Sequence, residues 1–183
     1  VIIKKAYGFA DRELDVPVSV DMKFKIGSVS KPFTAVIILQ LVDEGIIALD
    51  GKITDYVPSY IGKKGNEITI EQLLTHTSGV LSNLSSVEES KKERLYHTLA
   101  DMVKYIEESD LYFNPGTNFH YSNLAYNLLA HLAEMVTNKS FESLLEERIF
   151  EPLNMNNTRQ YSPNIVEKNL TKGYEYKLLN GFE

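Results

Sequence analysis

The sequence contains no cysteine, which removes disulfides, thiol catalysis and thiolate-bound metal together and leaves the redox compartment open. It also lacks any apolar run long enough to cross a bilayer, so no membrane span is expected in this chain. Basic residues form no extended run and the net charge is −6; nucleic acid and anionic membrane are therefore not expected partners. The four histidines, His76, His97, His120 and His131, have no partners at the helical spacings of zinc hydrolases. His131 with Glu134 is a single pair, so no metal site is expected. Gly27-Ser28-Val29-Ser30-Lys31 is not a phosphate loop, because the first glycine and the Gly-Lys pair are missing. Internal repeats and linkers are absent as well. What the chain does have is 183 residues with 43% hydrophobic content, enough to bury one substantial core in one domain.

The most informative stretch is Phe24 to Ala35. Alternating Lys23, Phe24, Lys25 and Ile26 has a strand's period of two, and Gly27 permits a sharp turn after it. From Phe33 to Val42 the run is apolar on nearly every face, the mark of a helix enclosed by protein. Pro32 belongs in a first turn and Gly45 after a last one, so the helix is expected from near Ser28 or Val29 to just before Gly45. Ser28 and Lys31, three apart, then share one face. A serine hydroxyl becomes a useful nucleophile when a neighbouring base takes its proton, and a partly neutral lysine can be that base. Ser-x-x-Lys is nevertheless short enough to arise about once by chance in a chain of this composition.

Taken in order, the chain opens without Met in Val1 to Phe9, which reads as a strand already under way. Asp11 to Val16 reads as a turn, and Lys23 to Ile26 as a second strand. Ile53 to Tyr60 holds a short helical segment ended by Pro58. Thr69 with Gln72 is a capping-box pattern, and Gly79 lies where the chain turns away from that helix. Residues 80–97 read as a surface loop. Thr98 with Asp101 starts an amphipathic helix with Leu99, Met102, Val103 and Ile106 inward. Ser122 caps a long helix through Leu124, Leu128, Leu129, Leu132, Met135 and Val136, and Ser140 caps another to Phe150. Gly173 to Leu179 reads as a final strand before an Asn180-Gly181 hairpin turn. The fold class is α+β: N-terminal strands over 1–27, a mainly helical region over 28–160, and the start of C-terminal strands over 161–183. The sheet is unfinished on this reading, and its open edge offers a place for self-association.

Tyr121-Ser122-Asn123 lies between the Asn114-Pro115-Gly116-Thr117 turn and the start of the long helix. A phenol beside an ammonium can relay a proton, and an Asn amide can hold a substrate amide. Tyr112-Phe113-Asn114 has the same letters but runs into the Pro-Gly turn. The conjunction of segments resembles the penicillin-recognising serine hydrolases: class C β-lactamases, D-alanyl-D-alanine carboxypeptidases and related esterases. The matching segments are Phe24 to Ala35, Ile68 to Val80, Asn114 to Leu129 and Ile149 to Thr158, in family order.

That resemblance implies a β-lactamase/transpeptidase-like fold, an antiparallel sheet packed beside a helical region. It implies Ser28 as acylated nucleophile, Lys31 as its proton partner, Tyr121 sharing the base role and protonating the leaving group, and Asn123 binding the substrate amide. The Ser28 backbone N–H would supply one oxyanion donor, and His76 would help fasten the loop behind the site. The family's third motif, a Lys or His followed two residues later by Gly, does not follow Asn123. Lys63-Lys64-Gly65 has the letters but precedes Tyr121 in an expected surface turn. The family domain is considerably longer than this chain, so a partial domain without its C-terminal strands, weakly active by itself, is expected. The implied function is a serine acyl hydrolase acting on a D-Ala-D-Ala peptide, a β-lactam or a small ester; a non-catalytic relative that binds peptides or partners is the alternative. No metal or organic cofactor is implied. The resemblance places such a protein in a bacterial cell envelope or outside the cell, with a cytoplasmic esterase as the other possibility.

Overall fold

The computed structural model describes residues 3–60, 62, 64–83, 98–162 and 164–174. Most of the expected final strand, the Asn180-Gly181 turn, His97, Lys63 and most of the expected surface loop lie outside those residues. The chain divides into two compact units, one of residues 1–27 with 160–183 and one of residues 28–159.

In the first unit, β1 (Phe9–Asp11) pairs antiparallel with β2 (Val16–Pro17), Phe9 opposite Pro17 and Asp11 opposite Val16. The Asp11 carboxylate closes the turn by accepting from the Glu13 and Leu14 N–H groups at 3.1 and 3.0 Å, an Asx-type turn. The expected strand over residues 1–9 is corrected: among the described residues pairing begins only at Phe9, because Gly8 turns the backbone at φ +79°. Among the described residues the expected Lys23 to Ile26 strand is reduced to one parallel bridge, Lys23 with Leu170. There the Lys23 N–H donates to Asn169 O at 2.8 Å and the Thr171 N–H to Lys23 O at 2.9 Å. Alternation marks a backbone able to extend, but a strand exists only where a neighbour supplies donors and acceptors. The two chain ends meet again where Lys172 pairs with the Asp11 carboxylate at 2.7 Å.

The second unit is helical. A 3-10 turn over Gly27–Ser30 leads into α1 (Lys31–Asp43). It is followed by α2 (Ile53–Tyr56), α3 (Ile70–Leu74), α4 (Leu99–Glu108), α5 (Asn123–Thr137) and α6 (Phe141–Leu145), with a π-helical turn over Glu146–Phe150. The caps read from the sequence are made. Thr69 and Gln72 bond reciprocally, as do Thr98 and Asp101, while the Ser122 and Ser140 hydroxyls accept from Ala125 and Ser143. Each satisfies an otherwise orphaned N–H of the first turn. α5 is the axle, with α1, α2, α3, α4 and α6 all packed on it. Leu124, Leu128, Leu129 and Leu132 are wholly excluded from solvent.

Two expectations about helix faces are corrected. Met135 is exposed rather than inward. α1 is not enclosed: Thr34, Ile37, Ile38 and Leu41 face the core, whereas Val36 and Leu39 are 43% and 48% exposed. A continuous apolar run carries no face of its own, so the packing against α5 and α6 alone selects which side is buried.

Candidate active site

Ser28 sits in the 3-10 turn ahead of α1, not in its first α-helical turn as the sequence suggested. Gly27 has φ +52°, the left-handed region that favours glycine, and so the chain turns sharply there before the serine. Lys31 opens α1 with Pro32 behind it, a position where the missing N–H costs no helical bond. The Lys31 Nζ lies 3.3 Å from Ser28 Oγ and donates to it.

Tyr121 and Asn123 come to the same place by another route. The segments 76–83 and 112–123 are stitched together by main-chain and side-chain bonds. The Gly116 N–H donates to Thr77 O at 2.8 Å, Tyr112 to Gly79 O at 2.8 Å, His120 to His76 O at 2.9 Å and Asn123 to Ser82 O at 2.9 Å. The buried Ser122 hydroxyl donates to Leu81 O while it caps α5. Gly79 is required here, since a Cβ would stand 2.2 Å from the Phe113 carbonyl oxygen and φ is +80°.

So held, the Tyr121 hydroxyl donates to Ser28 Oγ at 2.7 Å. Asn123 Oδ1 accepts from the Lys31 ammonium at 2.5 Å. The structure therefore brings Lys31 and Tyr121 onto one serine oxygen and joins Asn123 to them through Lys31. Ser28 is exposed, Tyr121 is 40% exposed, and Lys31 and Asn123 are half-buried. The Tyr121 phenol is held below its ordinary value by its hydrogen bond with Lys31 and then by that with Ser28, because both stabilise a phenolate. The Lys31 ammonium also lies 4.6 Å from the Tyr121 ring centre and 5.6 Å from that of Tyr126. Burial, and then the neighbouring Tyr121, push the Tyr126 phenol up; its hydroxyl donates to Leu74 O.

Sequence reasoning missed Asn83. Its Oδ1 accepts from Asn123 Nδ2 at 2.6 Å, so the Asn123 amide is fixed between a cation on its oxygen and a carbonyl on its nitrogen. Nothing periodic surrounds Asn83, so no local pattern marked it. Tyr126 was not singled out either, since its place beside Lys31 depends on a contact between α5 and α1 that no local pattern encodes.

A helical region carrying this serine turn, together with a small antiparallel sheet, is the architecture of the β-lactamases and penicillin-binding proteins. The crystal structure of a penicillin binding protein from Bacillus halodurans superposes with a TM-score of 0.79 at 30% identity, over 92% of this chain and 51% of that one. Protein flp from Staphylococcus aureus strain COL is 33% identical over 180 residues, 96% of this chain. A protein named Beta-lactamase from Escherichia coli strain K12 is 33% identical over 168 residues, 92% of this chain. The family described as Beta-lactamase matches residues 1–181. The chain belongs to that family, the penicillin-recognising serine hydrolases. It spans 35% of the length of the flp protein and 43% of that of the E. coli protein.

Proposed function

We propose that these residues form the acylating centre of a serine acyl hydrolase. Ser28 Oγ attacks the carbonyl carbon of a substrate as its proton passes to whichever of Lys31 and Tyr121 is in its deprotonated form, amine or phenolate. The tetrahedral oxyanion leans on the Ser28 backbone N–H; it collapses as Tyr121 returns a proton to the leaving group. A serine ester is left, and water then releases the acid and restores Ser28. Asn123 donates to or accepts from the substrate's amide, with its orientation set by Lys31 and Asn83. The observation that carries this reading is the convergence of the Tyr121 hydroxyl and the Lys31 ammonium on one serine oxygen, at 2.7 and 3.3 Å. A merely structural serine has no need of two proton-carrying partners.

The substrate is a D-Ala-D-Ala peptide, a β-lactam or a small ester. One similar protein is named Beta-lactamase and another is called a penicillin binding protein, which supports the β-lactam and the peptide it mimics. Intact mass with peptide mapping after incubation with a penicillin, and separately with a fluorophosphonate, tests the reading, with Ser28→Ala as control. A lasting penicillin adduct on Ser28 favours a peptidase-like enzyme with slow deacylation, and a fluorophosphonate adduct alone favours an esterase. No adduct on this chain, or labelling that survives Ser28→Ala, removes Ser28 as the nucleophile of this chain.

A further inference from the structure

His76 holds three consecutive residues of the site at once. Its carbonyl oxygen accepts from the His120 N–H at 2.9 Å, and its ring Nδ1 accepts from the Ser122 N–H at 3.1 Å. Between those two anchors its ring lies against the Tyr121 ring, centres 4.6 Å apart. The imidazole is wedged in turn by Tyr126 at 5.1 Å and Phe119 at 6.1 Å. The backbone at His76 is left-handed, φ +61°, a region that few non-glycine residues enter, histidine and asparagine more readily than most. A fastening role for a loop needs only one such bond; here the residues before, at and after the phenol are all gripped.

We propose that His76 is the positioning residue of Tyr121, acting as a neutral imidazole that accepts through Nδ1 and carries its proton on Nε2. This rests on the roles given above to Ser28 and Tyr121. Protonation of Nδ1 would set two donors face to face at Ser122, loosening the segment that keeps the Tyr121 hydroxyl on Ser28. The titratable groups facing the ring are Lys31 from α1, Tyr121 from its own segment and Tyr126 from α5. Burial first, and then the Lys31 charge, lower the histidine's pKa below 6.5, which keeps the acceptor available near neutrality.

The test compares the wild-type chain with His76→Phe, which keeps a ring and removes the acceptor, and with His76→Asn. Asparagine keeps an acceptor and tolerates the left-handed backbone. Ser28 labelling by a fluorophosphonate is followed against reagent concentration and pH. The expected result is a limiting rate roughly tenfold or more lower in His76→Phe with half-saturation unchanged. His76→Asn recovers part of that rate, and the part of the wild-type profile's acid fall that follows His76 protonation is absent in both variants. Equal rates and profiles in folded variants overturn the proposal. Nitrogen NMR of the wild-type chain is decisive without any variant: a proton on His76 Nδ1 at neutral pH overturns it, and a bare Nδ1 supports it. A wild-type chain that is never labelled sinks the Ser28 reading instead. The inference then stands or falls on the nitrogen spectrum and on whether the Tyr121 titration, read by NMR, moves up in His76→Phe.

Discussion

At Tyr121 the phenol's acidity is borrowed from a neighbour, since hydrogen bonds with Lys31 and then Ser28 lower its pKa from 10.0. Lys31→Met therefore moves the Tyr121 titration up toward the free tyrosine value, which tyrosine NMR or phenolate absorbance reads directly. Tyr121→Phe leaves the ring stack on His76 in place and removes the proton carrier. Labelling of Ser28 is expected to fall by roughly a hundredfold or more, measured as the fluorophosphonate rate. His76 contributes a pH dependence of stability just below neutrality. Its folded pKa lies below 6.5, so the unfolded chain binds the proton first as pH falls. The stabilisation linked to this group is complete above about pH 6.5 and declines from there down through the folded value. Urea midpoints of wild type and His76→Asn, measured between about pH 5 and 8, are expected to converge toward the acid end. The serine, lysine, tyrosine and asparagine were legible in the sequence as letters at fixed spacings. Asn83 was not, because its role is a contact of 2.6 Å across 40 positions of chain.

At the scale of elements, two positions connect stability to the site. Ser122 both caps α5, accepting from the Ala125 N–H at 2.9 Å, and ties it to Leu81 from a buried setting. Ser122→Ala is expected to cost about 1 to 3 kcal/mol, since it opens the cap and leaves the half-buried Leu81 carbonyl without that donor. The same change loosens both neighbours of Ser122, Tyr121 and Asn123, so labelling falls with it. Gly79→Ala forces a Cβ to within 2.2 Å of the Phe113 carbonyl at φ +80°. More than about 2 kcal/mol is expected to be lost, visible as a lower denaturation midpoint with an unchanged slope. The caps of α3, α4, α5 and α6 were readable because a cap is a local bond between residues three apart. Lys23 to Ile26 has a strand's alternation, but strand formation is decided by a distant partner, and among the described residues only Lys23 meets one, at Leu170.

For the molecule as a whole, the core gathers around α5. Leu128 is wholly buried there, and Leu128→Ala is expected to cost about 2 to 5 kcal/mol. Calorimetry would register this as a melting point roughly 5 to 15 °C lower. Self-association through an open strand edge is kept as a proposal. Sedimentation velocity across a concentration range tests it: a coefficient that rises with concentration supports pairing, and a constant monomer value ends the idea.

The sequence alone determined the helix caps, the turn residues, the apolar stripe of α5 and the residue types of the site, since each is written in spacings of a few positions. Only the tertiary structure decided that Val36 and Leu39 of α1 face outward, that Ser28 stands in a 3-10 turn, and that Tyr121 reaches it. Those outcomes depend on how separate segments pack, and the hydrogen bonds that assemble the site join residues about 40 to 90 positions apart. The letters chose the chemistry available, and packing chose which groups meet.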